Sequence, residues 1–129
     1  MTDPVREYLS RHGYAAYIVE GGLDYLLDAW ETMVAAVSEG QILDRNQFIS
    51  GMDLRRILEE TLAFIPLYEQ AGYYKRVIEA DQKIRQHLVA SETPLCDQEM
   101  ASIYGYTPER HWWYFYRPRQ VNETWPVRI

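Results

Sequence analysis

The residues best equipped for chemistry stand near the end of the chain, in the run Thr107-Pro108-Glu109-Arg110-His111-Trp112-Trp113-Tyr114-Phe115-Tyr116-Arg117-Pro118-Arg119. A histidine leads five consecutive aromatics, with arginines on both sides. Such rings stack on one another, on guanidinium planes and on bases, and Trp, Tyr and Arg dominate binding hot spots. His111 is the group in this run whose ordinary pKa suits acid–base work near neutral pH. With the tyrosines just before it, the candidate binding set is Tyr104, Tyr106, Arg110, His111, Trp112, Trp113, Tyr114, Tyr116, Arg117 and Arg119. So much apolar surface must be covered, by the chain's own core or by a partner.

Other chemistries find less support. His12, His87 and His111 are far apart and fall in no HExxH or Cys/His spacing, so no metal ligand is assigned. Cys96 stands alone, and Asp97 beside it works against a reactive thiolate. There is no GxSxG elbow, and Gly21-Gly22 lacks the flanking pattern of a phosphate loop. No catalytic residue and no cofactor are therefore expected. Glu20, Asp24, Asp28 and Glu31 lie at helical spacing and read as a solvated acidic face. Asp81 falls on an apolar stripe, where a charge is costly unless paired. Arg85, one turn on, is its local candidate partner, and a solvated rim position is the expectation.

Charge narrows the choice of partner. The 129 residues carry 13 basic and 19 acidic side chains, a net −6, which argues against general affinity for phosphate backbones. The imbalance is uneven: residues 1–105 hold 9 basic and 17 acidic groups (−8), and residues 106–129 hold 4 and 2 (+2). A basic, aromatic tail on an acidic body is expected to dock, with Arg117 and Arg119 meeting Asp24 or Asp28. Eleven of the 13 cations are arginine, the residue that pairs bidentately with carboxylates and stacks on rings. One cysteine allows no intrachain disulfide. The start, Met1-Thr2-Asp3-Pro4-Val5-Arg6-Glu7, lacks the basic and apolar regions of a secretion signal, and no stretch approaches a membrane span. A cytoplasmic protein without a membrane partner is expected.

The elements that must position these groups read as helices. Asp3-Pro4 is a start, and Gly13 interrupts the helical pattern that runs on from it. Gly21-Gly22 breaks or bends the chain. Leu23, Leu26, Leu27, Trp30, Met33, Val34 and Val37 form one apolar stripe, with Gly40 as its stop and a linker over 41–46. Phe48, Ile49 and Met52 suggest a helical turn. Asp53 then caps a helix whose buried face is Leu54, Ile57, Leu58, Leu62 and Ile65, ended by Pro66. Beyond Gly72, Tyr74, Val77, Ile78, Ile84, Leu88 and Val89 mark another, and a short helix covers 95–104. No strand alternation is visible before residue 106. The aromatic run reads as a turn leading into extended chain, and Trp125 as a pin for the tail.

These patterns predict one all-α domain over 1–129. It is a compact antiparallel bundle of four to five helices with an aromatic-rich, partly extended C-terminal segment, 106–129, docked on it. Leu27, Trp30, Val34, Leu58, Ile78 and Ile84 are its expected core. The expected function is binding, to another protein or to a second copy, through the aromatic-Arg surface, with nucleic acid discounted. One alternative is a small-molecule binder or unusual enzyme, in which Tyr104, Tyr106, Arg110, His111 and Arg117 line a cleft and His111 is the acid/base. Another is an acidic inhibitor or antidote that covers a basic target site.

Overall fold

Capping chemistry decides where the helices begin. The computed structural model describes residues 3–91, 94–95 and 98–119. The Asp3 carboxylate accepts the backbone N–H of Val5 (3.0 Å) and Arg6 (3.4 Å) and opens α1 (Pro4–Arg11). After the turn at Gly13 comes α2 (Ala16–Ser38), which runs through the glycine pair instead of stopping. Gly22 takes φ +61° and ψ −148°, a conformation open to glycine, so the expected break is a bend inside one helix. α3 (Arg45–Leu62) starts at a capping box in which Asp44 and Gln47 bond each other's backbone N–H (2.8 and 3.1 Å). The Phe48–Met52 turn is thus the front of this helix, and Asp53, expected as its cap, lies in its interior. α4 (Leu67–Arg85) begins directly after Pro66 and takes in Gly72. α5 (Gln98–Tyr104) is stopped by Gly105 at φ +71°.

Two short strands complete the described elements. β1 (Leu88–Ala90) pairs antiparallel with β2 (Tyr116–Pro118), with Leu88 opposite Pro118, Val89 opposite Arg117 and Ala90 opposite Tyr116. A single 3-10 turn, Trp112–Tyr114, precedes β2. The extended end of the aromatic run is as expected. The strand at Leu88 and Val89, read from sequence as helix, is a correction. Three residues are too short to show alternation, and β1 exists because β2 supplies its hydrogen-bond partners. Trp125 and Cys96 lie outside the described residues.

The helices pack against one another around α2, which touches α1, α3 and α4. Gly51 marks a close approach of α3 to α2: a Cβ there would stand 1.8 Å from Met33 Sδ, so a larger residue at 51 requires the flexible end of Met33 to move. The core joins Val5 and Leu9 to Leu26, Leu27, Trp30 and Val34, to Phe48, Met52, Leu58 and Leu62, and to Val77 and Ile84. Each such side chain contributes about 1.5–3 kcal/mol by leaving water. Ile78, expected among them, is half-exposed. On α4 the inward positions are Val77, Ala80, Ile84 and the largely buried Asp81, a face that leaves Ile78 outside. No described helix is long and apolar enough to cross a membrane.

Candidate functional site

Adjacent arginines on α3 organise the C-terminal segment. The buried Arg55 donates from Nε to Asp81 Oδ1 (3.1 Å), from Nη2 to Asp81 Oδ2 (2.9 Å) and from Nη1 to Glu59 (3.0 Å). Trp30 Nε1–H donates to the same carboxylate at 3.0 Å. Burial pushes the Asp81 carboxyl above the usual carboxylate range, while the bonds from Arg55 and Trp30 pull the other way. The expected solvated Asp81, with Arg85 as partner, is thereby corrected. Helix packing brings in a cation that sequence spacing does not reveal. Trp113 lies on the Arg55 guanidinium, its ring centroid 4.6 Å from Cζ.

Arg56 serves the next aromatic. Its Nε donates to the Tyr114 hydroxyl (2.9 Å), which donates onward to Asp53 Oδ1 (2.5 Å). Burial, and then the carboxylate of Asp53, hold the Tyr114 hydroxyl well above the usual tyrosine range. Arg56 Nη1 also donates to Glu60 (3.2 Å), which accepts from Tyr8 on α1 (2.5 Å). Backbone bonds fix the same segment: Leu95 N donates to Tyr114 O (2.7 Å) and Ser91 N to Phe115 O (2.8 Å). Trp113 and Tyr114 are each only 1% exposed. These two of the ten candidate residues belong to the chain's own core and are out of a partner's reach.

A row of rings leads from that core to the surface. Tyr114 stacks on Tyr106 (4.8 Å between centroids), and Tyr106 on Tyr104 (5.6 Å). His111 sits 4.9 Å from Tyr106, and its Nδ1 accepts the Thr107 N–H at 3.3 Å. Burial, and then the nearby Arg110, lower the His111 pKa. Arg110 is exposed at the turn, its backbone N–H bonded to Thr107 Oγ1 (3.3 Å). At the outer end of the row, α5 turns Ala101 inward and points Met100 (42% exposed), Ile103 (68%) and Tyr104 (59%) to solvent.

The remaining candidates sit elsewhere. Arg85 lies between Trp112 (4.9 Å) and Tyr116 (5.4 Å), so those rings already hold a cation of their own chain. Arg117 extends from β2, where Nη1 donates to Pro118 O (3.5 Å), and Arg119 Nε donates to Gln86 O (3.2 Å). Neither reaches its expected partners, Asp24 and Asp28. Arg76 on α4 takes Asp28 (3.0 Å) and Glu31, and Tyr73 takes Asp24 (3.0 Å). The acidic stripe of α2, expected as a solvated face, is therefore largely an α2–α4 clamp.

Chemically, this arrangement offers a surface more readily than a reaction centre. The acceptor nitrogen of neutral His111 is engaged by Thr107, and Tyr114 is far from ionising at neutral pH. Among the described residues, no group of three or more His, Cys, Asp or Glu is placed to hold a metal ion. Met100 and Ile103 are the contributors that sequence reading passed over. Their i, i+3, i+4 spacing with Tyr104 was the available sign, but the sign could not say which way the stripe faced. No protein-family model, curated protein or solved structure matches this chain.

Proposed function

We propose that this protein works by binding another protein through the outward stripe of α5 and the ring platform of Tyr104, Tyr106 and His111. One observation carries the reading: Met100, Ile103 and Tyr104 form an apolar face directed at water, and among the described side chains of α5 only Ala101 is buried. An apolar helical stripe gains stability by being covered, and here the chain's own core does not cover it. The platform behind it is rigid, because Tyr106 rests on Tyr114, and Tyr114 is fixed by Asp53 and Arg56. A preorganised aromatic anchor beside Arg110 has the composition of an interface hot spot. A cytoplasmic location belongs to the same reading, from the lone cysteine and the net charge of −6.

A photo-crosslinking residue at position 103 tests this in living cells, with the same residue at the exposed Lys75 as control. A discrete adduct at 103, absent at 75 and weakened by Tyr104→Ser, is the expected result. Mass spectrometry of that adduct then says whether the partner is a second copy or a different protein. Failure to obtain any discrete adduct at 103 would refute the proposal.

A further inference from the structure

A second site opens where α2 ends beside the β-hairpin, and none of its lining residues belongs to the α5 stripe. The cavity holds about 240 Å³ and is lined by Val37, Ser38, Glu39, His87, Pro118 and Arg119, among others. That is below the roughly 300–1,000 Å³ of sites for drug-sized ligands, so its occupant is small. Its floor is apolar, since Val37 and Pro118 are buried.

Its walls carry opposite charges that do not neutralise each other. Arg119 is held at its base, with its backbone N–H on His87 O (3.0 Å) and Nε on Gln86 O (3.2 Å). The outer edge of the guanidinium pairs with no carboxylate among the described residues. Glu39 is the C-cap of α2 and likewise has no cationic partner among them. The negative end of the helix dipole adds to its carboxylate. Ser38 Oγ is buried there without a hydrogen-bond partner. A simple anion drawn to Arg119 is repelled by Glu39 and the helix end, and a simple cation meets the reverse. A small molecule that carries both charges satisfies both walls.

We propose that this cleft binds a small α-amino acid, with its carboxylate on Arg119 and its ammonium group toward Glu39 and the end of α2. The test is an amide NMR titration of the whole protein with L-alanine, repeated with acetate and with ethylammonium. Expected are saturable shifts at Ser38, Glu39, His87 and Arg119 with alanine, and none of comparable affinity with either half-ligand. Arg119→Gln and Glu39→Gln should each weaken alanine binding about tenfold, the loss of one charge-assisted hydrogen bond. Both side chains are exposed, so the variants should keep the parent's circular dichroism. Absence of saturable shifts with alanine, acetate binding as tightly as alanine, or unchanged affinity in the two variants would each overturn the proposal.

Discussion

Arg55 and Asp81 meet across the α3–α4 contact through two parallel hydrogen bonds, 3.1 and 2.9 Å long, and Trp113 covers the pair from the C-terminal segment. A bundle helix, its neighbour and the aromatic tail are thus joined at one buried charge pair. Losing Arg55 strands the Asp81 carboxylate, and losing Asp81 leaves the buried Arg55 with only the partly exposed Glu59.

Asp81→Leu should therefore cost about 3–5 kcal/mol, the range for breaking a buried pair from one side. Arg55→Met with Asp81→Leu should be more stable than the single Asp81→Leu variant. Met still packs beneath the Trp113 ring, and no buried charge is left alone, since Glu59 is partly exposed. The recovery should be incomplete, because Trp30 Nε1–H also loses its acceptor. Urea denaturation of the parent, the single and the double variant decides it, and a double variant no more stable than Asp81→Leu would contradict this account.

Removing everything after Tyr106 should abolish the cooperative melt, because Trp113 and Tyr114 are core and β1 loses its only partner strand among the described residues. Trp113→Ala alone should cost about 3–5 kcal/mol. Trp113→Phe should cost less, since the indole N–H is buried without a hydrogen-bond partner. Calorimetry separates these three variants.

Alkaline pH should weaken the fold through Tyr114. Its hydroxyl lies above the ordinary value of 10.0 in the fold, so the unfolded chain ionises first. This contribution to stability is complete below about pH 10, the unfolded value, and is lost as pH rises above it. Tyr114→Phe, which costs about 1–3 kcal/mol at neutral pH by stranding Asp53 and Arg56, should differ less from the parent as pH climbs. A stability gap that stays constant up to the alkaline transition would exclude the link.

Acid should act through His111. Its pKa is lower in the fold than in the unfolded chain, so the unfolded chain takes up the proton first. Stability should be full above about pH 6.5 and fall below it, as protonation also removes the Nδ1 acceptor from the Thr107 N–H. His111→Gln retains an acceptor that does not titrate. Its stability should vary less than the parent's as pH falls through that value, by chemical denaturation.

Ile103→Ser and Met100→Ser, in contrast, should change stability by no more than about 0.5 kcal/mol, as for solvent-facing positions. Thermal melts check this. A cost of several kcal/mol would show that the stripe stabilises the monomer and would withdraw it as a contact surface.

Local chemistry was legible in the sequence. Asp3-Pro4 announced α1, the Leu23–Val37 stripe announced the buried face of α2, and Gly22 announced the bend, because each effect acts within a turn or two of the chain. The importance of the aromatic run was also visible, since five rings in a row need cover. Reading Asp53 as a cap failed because an earlier cap at Asp44, with its Gln47 box, let the helix start sooner. Reading Ile78 as core failed because a small rotation of α4 decides between it and Asp81, and the deciding group, Arg55, lies 26 residues away.

By itself, the sequence determined the helical class, the cap of α1, the acidic body and the need to cover the aromatic run. These arise from backbone sterics, hydrophobic period and charge, all of which are local or additive. Only the tertiary structure decided which of the aromatics face inward. Trp113 and Tyr114 are buried because Arg55 and Arg56, adjacent on α3, offer each of them a cation, whereas Tyr104 stays in water because α5 buries Ala101 instead. Such a choice depends on which distant side chains meet once the helices have packed. Burying a charged or aromatic group is favourable only where its partner is already in place.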